Sequence, residues 1–259
     1  MSDLIQIERN AGVATLWLNR PDKHNAFDEH LIAAITDGLR ALTDDAQVRV
    51  VVLAGRGKSF SAGGDLDWMR RAAGYGYDQN LADATALATM LRTLAELPKP
   101  TIARVHGAAL GGGMGLVCAC DIAVASDVAV FATSEVKFGL IPATIGPYVL
   151  RAIGTRQAQR YFQSAERIDA ARAVQIGLVH ELVGAASLDA KIDEITTALH
   201  SGGPAAQNAA KQFIADVANR PISDTLISGT AEAIARIRAT DEAREGLTAF
   251  LEKRKANWA

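Results

Sequence analysis

Residues 105–115 constrain this chain more than any other stretch: Val105-His106-Gly107-Ala108-Ala109-Leu110-Gly111-Gly112-Gly113-Met114-Gly115. Ahead of them, Thr101-Ile102-Ala103-Arg104 reads as a short strand released by the breaker Pro98-Lys99-Pro100. Behind them, residues 116–119 are apolar and compact enough for a buried helical turn. Strand, glycine turn and helix start together aim backbone N–H groups at whatever sits above the turn. Glycine suits the place because it accepts unusual φ and lets a ligand approach the backbone. A second such turn, Phe60-Ser61-Ala62-Gly63-Gly64-Asp65-Leu66, follows the apolar run at 48–54. Two turns can converge two N–H donors on one developing negative oxygen. Spacing alone is equally compatible with two tight turns. It excludes a dinucleotide fingerprint and a P-loop, because neither the acidic residue nor the Gly-Lys-Ser/Thr ending is where it should be.

Around these turns the periodicity predicts alternating strands and helices. Residues 4–9 and 13–18 read as a β-hairpin about Asn10-Ala11-Gly12. Asp28 is placed to cap a helix whose stripe is Leu31, Ile32, Ile35, Leu39 and Leu42. Residues 48–53 are β-branched and continuous, as in a strand buried on both faces. Between the glycine turns lie residues 67–73, a Tyr-Gly break at 74–77 and a helix over 78–97. Short strands at 122–125 and 129–132 follow, then helices at 145–152, 157–165 and 170–175 and a strand at 179–183. Such alternation argues for βα units wound right-handed. From Ser187 the pattern is helical throughout. The last helix puts Asp241, Glu242 and Glu245 early and Lys253, Arg254 and Lys255 late, complementing its dipole. The chain thus divides into a core at 1–186 and a helical region at 187–259.

Three ordered stretches carry a resemblance. Ala62-Gly63-Gly64-Asp65-Leu66, His106-Gly107-Ala108-Ala109-Leu110-Gly111-Gly112-Gly113 and Ser134-Glu135-Val136-Lys137-Phe138-Gly139-Leu140-Ile141-Pro142 resemble the successive signatures of the enoyl-CoA hydratase/isomerase (crotonase) superfamily. The similarity covers nearly the whole chain, residues 250–258 included. It implies an α/β protein with the crotonase (ClpP-like) spiral of ββα units, and a C-terminal helical region that packs on a neighbour to build homotrimers or homohexamers. The implied substrate is an acyl-CoA. Coenzyme A then arrives as part of the substrate, with no separate cofactor.

The resemblance also assigns roles. The backbone N–H groups of Gly64 and Gly112 form the oxyanion hole, and Glu135 is the acid/base. Coenzyme A is to lie along Lys23, His24 and Ala26 and along the turn bearing Ala62, Asp65 and Leu66, with Gly111 and Pro142 completing the acyl-CoA site. Lys23 and Lys253 are to be available to phosphate as point charges. Phe250 and Lys253 reach the site from the tail, across a subunit boundary. Two-carboxylate hydratases of the family hold a further glutamate where this chain has Gly115, which has no side chain.

That departure leaves three chemistries open. Glu135 works alone as a double-bond isomerase, or it protonates Cα in a hydratase whose water is held otherwise, or the site serves decarboxylation or thioester cleavage. Gly115, the segment Ile141-Pro142-Ala143-Thr144-Ile145 and Arg160-Tyr161-Phe162 resemble a bacterial branch that hydrates branched, carboxylated enoyl-CoAs, such as 3-methylglutaconyl-CoA from leucine breakdown. Gly115 is then expected to make room for the substrate. A surface carboxylate paired with Lys137 is the local alternative for Glu135. A non-catalytic CoA-binding protein is the remote alternative for the whole.

Composition trims the remaining classes. A net charge of −2 over 259 residues gives no electrostatic case for nucleic acid or an acidic membrane surface. No apolar stretch approaches spanning length. The start lacks a basic stretch followed by an apolar one, so no signal peptide and a cytoplasmic location are expected. Cys118 and Cys120 read as buried thiols. His24, His30, His106, His180 and His200 are scattered, so metal-free chemistry is expected.

Overall fold

In the computed structural model, which describes residues 3–258, the chain opens with the predicted hairpin. Strands β1 (Ile5–Asn10) and β2 (Val13–Leu18) pair antiparallel about Ala11 and Gly12, both at positive φ. Helix α1 (Glu29–Asp44) crosses to β3 (Val50–Gly55), and α2 (Leu66–Ala72) with α3 (Tyr77–Ala95) crosses to β4 (Thr101–Val105). Next come β5 (Ala108–Leu110), α4 (Gly112–Ala119) and β6 (Ile122–Ser126). The chain continues through β7 (Val130–Ala132), α5 (Gly146–Ser164), β8 (Ile168–Asp169) and α6 (Ala170–Gln175) to β9 (Glu181–Val183). The large sheet has the order β1-β2-β3-β4-β6-β9 and is parallel after the hairpin. The small sheet is β5-β7-β8. From β4 to β7 the strands alternate between the large and the small sheet, and β9 returns to the large one.

The elements form where burial rewards their periodicity. Asp28 caps α1, its Oδ1 accepting from the Leu31 N–H (2.8 Å), and the α1 stripe is buried. All six residues of β3 are buried because both of its faces are covered. The α1 side belongs to the main core. On the other face, Val50, Val52, Ile102 and Val124 pack with Leu188 and Ile192 of α7 (Leu188–His200). Helix α5 breaks its helical geometry at Gly154 (φ 70°), the gap expected between 152 and 157. Cys118 in α4 and Cys120 at its C-cap pack against the main core, and burial pushes both thiols up.

One expectation about the C-terminal part changes, that of its last helix. Helix α7, which opens the region from 187, packs against the large sheet. Beyond it, α8 (Pro204–Val217) and α9 (Asp224–Arg238) bury no residue, and α10 (Asp241–Leu251) buries only Ala249. The basic residues do not complete the last helix, which ends at Leu251. Lys253 takes φ 54°, and Arg254 turns back to Glu245 (2.7 Å) and Glu252 (2.8 Å). Local ion pairs take the place of the dipole contact.

Candidate active site

The two glycine turns follow the carboxyl ends of β3 and β4, which are neighbours in the large sheet. Parallel sheets present ligand sites at that edge. Backbone hydrogen bonds zip the turns together. Phe60 N–H donates to the His106 carbonyl, Ser61 N–H to Ala108 and Leu110 N–H to Ser61, each at 2.9 Å. A third segment joins them: Phe27 N–H donates to Gly63 and Asp65 N–H to Phe27, both at 2.7 Å. The approach is close enough to exclude side chains. A Cβ on Gly63 would lie 3.1 Å from the Leu110 oxygen, and one on Gly113 would lie 2.6 Å from the Ser61 oxygen.

This packing leaves the Gly64 donor open, and with it those of the first turn of α4, Gly112 to Met114. The N–H groups of Gly64 and Gly112 have no acceptor among the described residues, whereas Gly111 N–H donates to Ala132 (2.8 Å). Gly112 begins α4, so the positive end of the helix dipole adds to its field. The Phe27 ring lies against Gly112, its Cε2 2.8 Å from where a Cβ would stand. Trp68 and Met69 close on Gly64 in the same way, at 3.5 and 3.3 Å.

Glu135 supplies the titratable group. It opens a short 3-10 turn (Glu135–Phe138) that Gly139 ends at φ 73°. Its Oε1 lies 3.4 Å from where a Gly111 Cβ would stand, and its Oε2 is buried with no hydrogen-bond partner. Burial pushes the carboxyl above the usual range, opposed only in part by a backbone hydrogen bond within the residue. No ion pair joins it to Lys137 among the described residues, which sets aside the surface-pair reading. A desolvated carboxylate set against Gly111, one residue before an open N–H, can exchange a proton with an atom held there while the donors stabilise an oxyanion.

Gly115 does not make room for a ligand. It lies four residues after Gly111, within the first turns of α4. A Cβ there would collide with Ile145 Cγ2 and come within 2.9 Å of Ile145 Cβ. Ile145 is only 1% exposed, so the space expected for substrate holds core side chain.

The other predicted residues divide by location. Lys23 does not stand free: its ammonium bonds Asp65 (3.0 Å) and Asp67 (3.1 Å), which raises its pKa. Asp65 is 4% exposed, pairs with Arg20 (3.1 Å) and caps α2. Burial pushes its carboxyl up, but hydrogen bonds from Lys23 and from the Trp68 and Asp67 amides outweigh that and bring it down to about 2. Asp65 therefore braces the 20s loop against the second turn. His24 Nδ1 lies 3.0 Å from Ser59 Oγ, and its carbonyl accepts from Ala62 N–H (2.9 Å). Ala26 is buried with its carbonyl accepting from Arg20 (2.8 Å). Leu66 is exposed and Pro142 is buried. Phe250 and Lys253 are exposed on the tail, where α10 packs on α8 and α9.

Sequence reasoning missed the residues that shape the turns from behind. Buried Asn25, at φ 54°, donates through Nδ2 to the carbonyls of Arg56 (2.9 Å), Ser59 (2.8 Å) and Phe60 (3.1 Å). Its Oδ1 accepts from Arg20 N–H (2.8 Å). An Asn inside a polar loop, able to take left-handed φ, was the available signal. Ile145 gave none. A cleft of about 440 Å³, lined by Arg160, Tyr161, Arg167 and Arg172 among others, shares no residue with the glycine turns.

Comparison with known proteins agrees over the full length. A sequence model of the family described as enoyl-CoA hydratase/isomerase matches residues 8–259. The crotonyl-CoA hydratase of Syntrophomonas wolfei is 34% identical, covering 98% of this chain and 97% of its own. The short-chain-enoyl-CoA hydratase of Clostridium acetobutylicum is 33% identical over 96% and 95%. A crystal structure of an enoyl-CoA hydratase from Shewanella pealeana matches with a TM-score of 0.96 at 44% identity, covering 98% of this chain and 96% of that one.

Proposed function

The chain belongs to the enoyl-CoA hydratase/isomerase family and has the crotonase fold, and on that premise we propose that it adds water across the 2,3 double bond of an enoyl-CoA thioester. The observation that carries this reading is the desolvated Glu135 carboxylate set against Gly111, one residue before the open N–H of Gly112. The thioester carbonyl sits between Gly64 and Gly112. As water oxygen bonds Cβ, the π pair moves through Cα to the carbonyl oxygen, and the two donors stabilise the enolate. Loss of one such donor typically costs about 3–4 kcal/mol. Glu135 takes the water proton and returns a proton to Cα, so one carboxylate balances the reaction.

The acyl group is branched or carboxylated, as in 3-methylglutaconyl-CoA. Support comes from the resemblance at Ile141-Pro142-Ala143-Thr144-Ile145 and Arg160-Tyr161-Phe162. The exposed apolar side chains Phe138, Leu140 and Ile141, just after Glu135, suit a branched chain. A carboxylate on the substrate would help hold the water where Gly115 offers no group. Coenzyme A runs along Lys23, His24 and Ala26, with Lys23 exchanging a carboxylate for phosphate. Phe250 and Lys253 come from a neighbouring copy, because the exposed apolar side chains of the tail suit a homotrimer or homohexamer. A stable monomer in sedimentation at micromolar concentration would count against that assembly.

A single carboxylate also suits an isomerase that shuttles a proton between substrate carbons. Incubation with crotonyl-CoA, 3-methylglutaconyl-CoA and a 3-enoyl-CoA separates the readings when hydration and double-bond migration are both followed. Hydration is expected, fastest on the carboxylated thioester. Migration without hydration would replace this reading by the isomerase one.

A further inference from the structure

We propose that Gly115 and Ile145 are a positioning pair that holds the Glu135 segment against the open N–H of α4. The segment between β7 and α5 carries the carboxylate with little structure of its own. Beyond its one short turn, its internal backbone bonds are few, among them Leu140 N–H to Glu135 (3.1 Å), Ala143 N–H to Ile141 (2.8 Å) and Gly146 N–H to Ala143 (3.3 Å). Phe138, Leu140 and Ile141 in its middle are exposed. Its place is therefore set at its ends and at Pro142, which is buried between the exposed Ile141 and Ala143.

Both ends are buried anchors. Thr133, 1% exposed, donates through Oγ1 to the Tyr161 carbonyl (2.9 Å). Ile145, equally buried, seats its side chain against α4 where Gly115 has none. Gly111 caps α4 and Gly115 lies within its first turns, so α4 meets the segment at its cap and again along its side. At Gly111 it meets the Glu135 carboxylate, and at Gly115 it meets the Ile145 methyl group. The helix whose first N–H faces the substrate oxygen is thereby the ruler for the proton donor. A methyl group at residue 115 would push Ile145, and with it the segment, away from α4. Ile145 touches no reacting atom and acts through Glu135.

The inference rests on the reading of Glu135 as the acid/base, and its test separates the two. Gly115→Ala, Ile145→Ala and the double variant are assayed for kcat and KM with crotonyl-CoA well below their melting temperatures. Gly115→Ala should lower kcat roughly tenfold to a hundredfold, the scale of an ångström-sized misplacement, with KM within about threefold of wild type. Adding Ile145→Ala should recover part of that loss, because the worst collision, with the Ile145 Cγ2 methyl, is gone while the Cβ contact at 2.9 Å remains. The pH limb of kcat/KM in Gly115→Ala should move toward the ordinary glutamate value as the displaced carboxylate rehydrates, a change that a merely structural role would not produce. If Gly115→Ala fails to fold, Ile145→Ala alone decides: it adds no bulk and should still slow kcat about tenfold with KM held. Full kcat in a folded Gly115→Ala or Ile145→Ala, or a double variant no faster than Gly115→Ala, would overturn the pairing. Should Glu135→Gln be inactive while Ile145→Ala is fully active, only the pairing fails. Should Glu135→Gln be fully active, the acid/base reading fails first.

Discussion

Helix α4 meets the segment after β7 at Gly111 and again at Gly115, and the two contacts differ in kind. At the first, a glycine at φ 50° lies alongside a carboxylate that is buried with no hydrogen-bond partner for Oε2. At the second, a glycine leaves its space to an isoleucine that is part of the core. Backbone conformation calls for glycine in one place and packing calls for it in the other. An absent Cβ is therefore no guide to function until what fills the space is known. The contrast also fixes the proton inventory where the segment meets α4: one carboxylate at the cap and hydrocarbon along the side.

Glu135→Gln breaks the first contact chemically while keeping its shape. We expect kcat to fall about 10²–10⁴-fold with CoA binding little changed, the scale of general acid–base catalysis. The donor between the two contacts is tested at Gly112. A Cβ there would meet the Phe27 ring, so proline alone would confuse loss of the N–H with overpacking. Gly112→Ala has the same collision and keeps the donor. Gly112→Pro should be slower than Gly112→Ala by roughly 10²–10³ in kcat, and equal rates would remove Gly112 from the oxyanion hole. At the second contact, Gly115→Glu should cost at least about 1–3 kcal/mol in urea unfolding, because it overpacks Ile145 and buries a charge. It should give no gain on crotonyl-CoA, and a folded variant with faster turnover would mean that the space is open after all.

The smallest effect is on stability. The folded-state pKa of Glu135 is raised, so its protonated form favours the fold. That contribution is complete below the ordinary glutamate value and is lost as pH rises through the raised one. Ionised Glu135 thus costs stability at neutral pH. Glu135→Gln should melt slightly above wild type at pH 7, with the gap closing in acid.

Much of this was legible in the chain because it is local. The α1 stripe, the Asp28 cap, the doubly covered β3 and the two glycine turns are written in neighbouring residues, and each formed as expected. Glu135 was legible through the resemblance. The filling of Gly115 was not, because Ile145 lies thirty residues on and nothing in its own neighbourhood aims it at α4. The brace at Asp65 was hidden for the same reason: its partner Arg20 comes from another loop. The end of α10 was misread because Arg254 has closer carboxylates than the helix terminus offers. Helix α7 has the same stripe as a tail helix would, and only its seat on the face of β3 away from α1 reveals its packing on the sheet.

The central claim is that one desolvated carboxylate carries the proton transfers. It is tested most directly by the pH dependence of kcat/KM for crotonyl-CoA, whose acyl chain has no titrating group of its own. In the acid-to-neutral range a single one-proton limb is expected, with its midpoint above the ordinary glutamate value of about 4.3 because burial raises Glu135. Two carboxylate limbs, or one limb at the ordinary value, would contradict it.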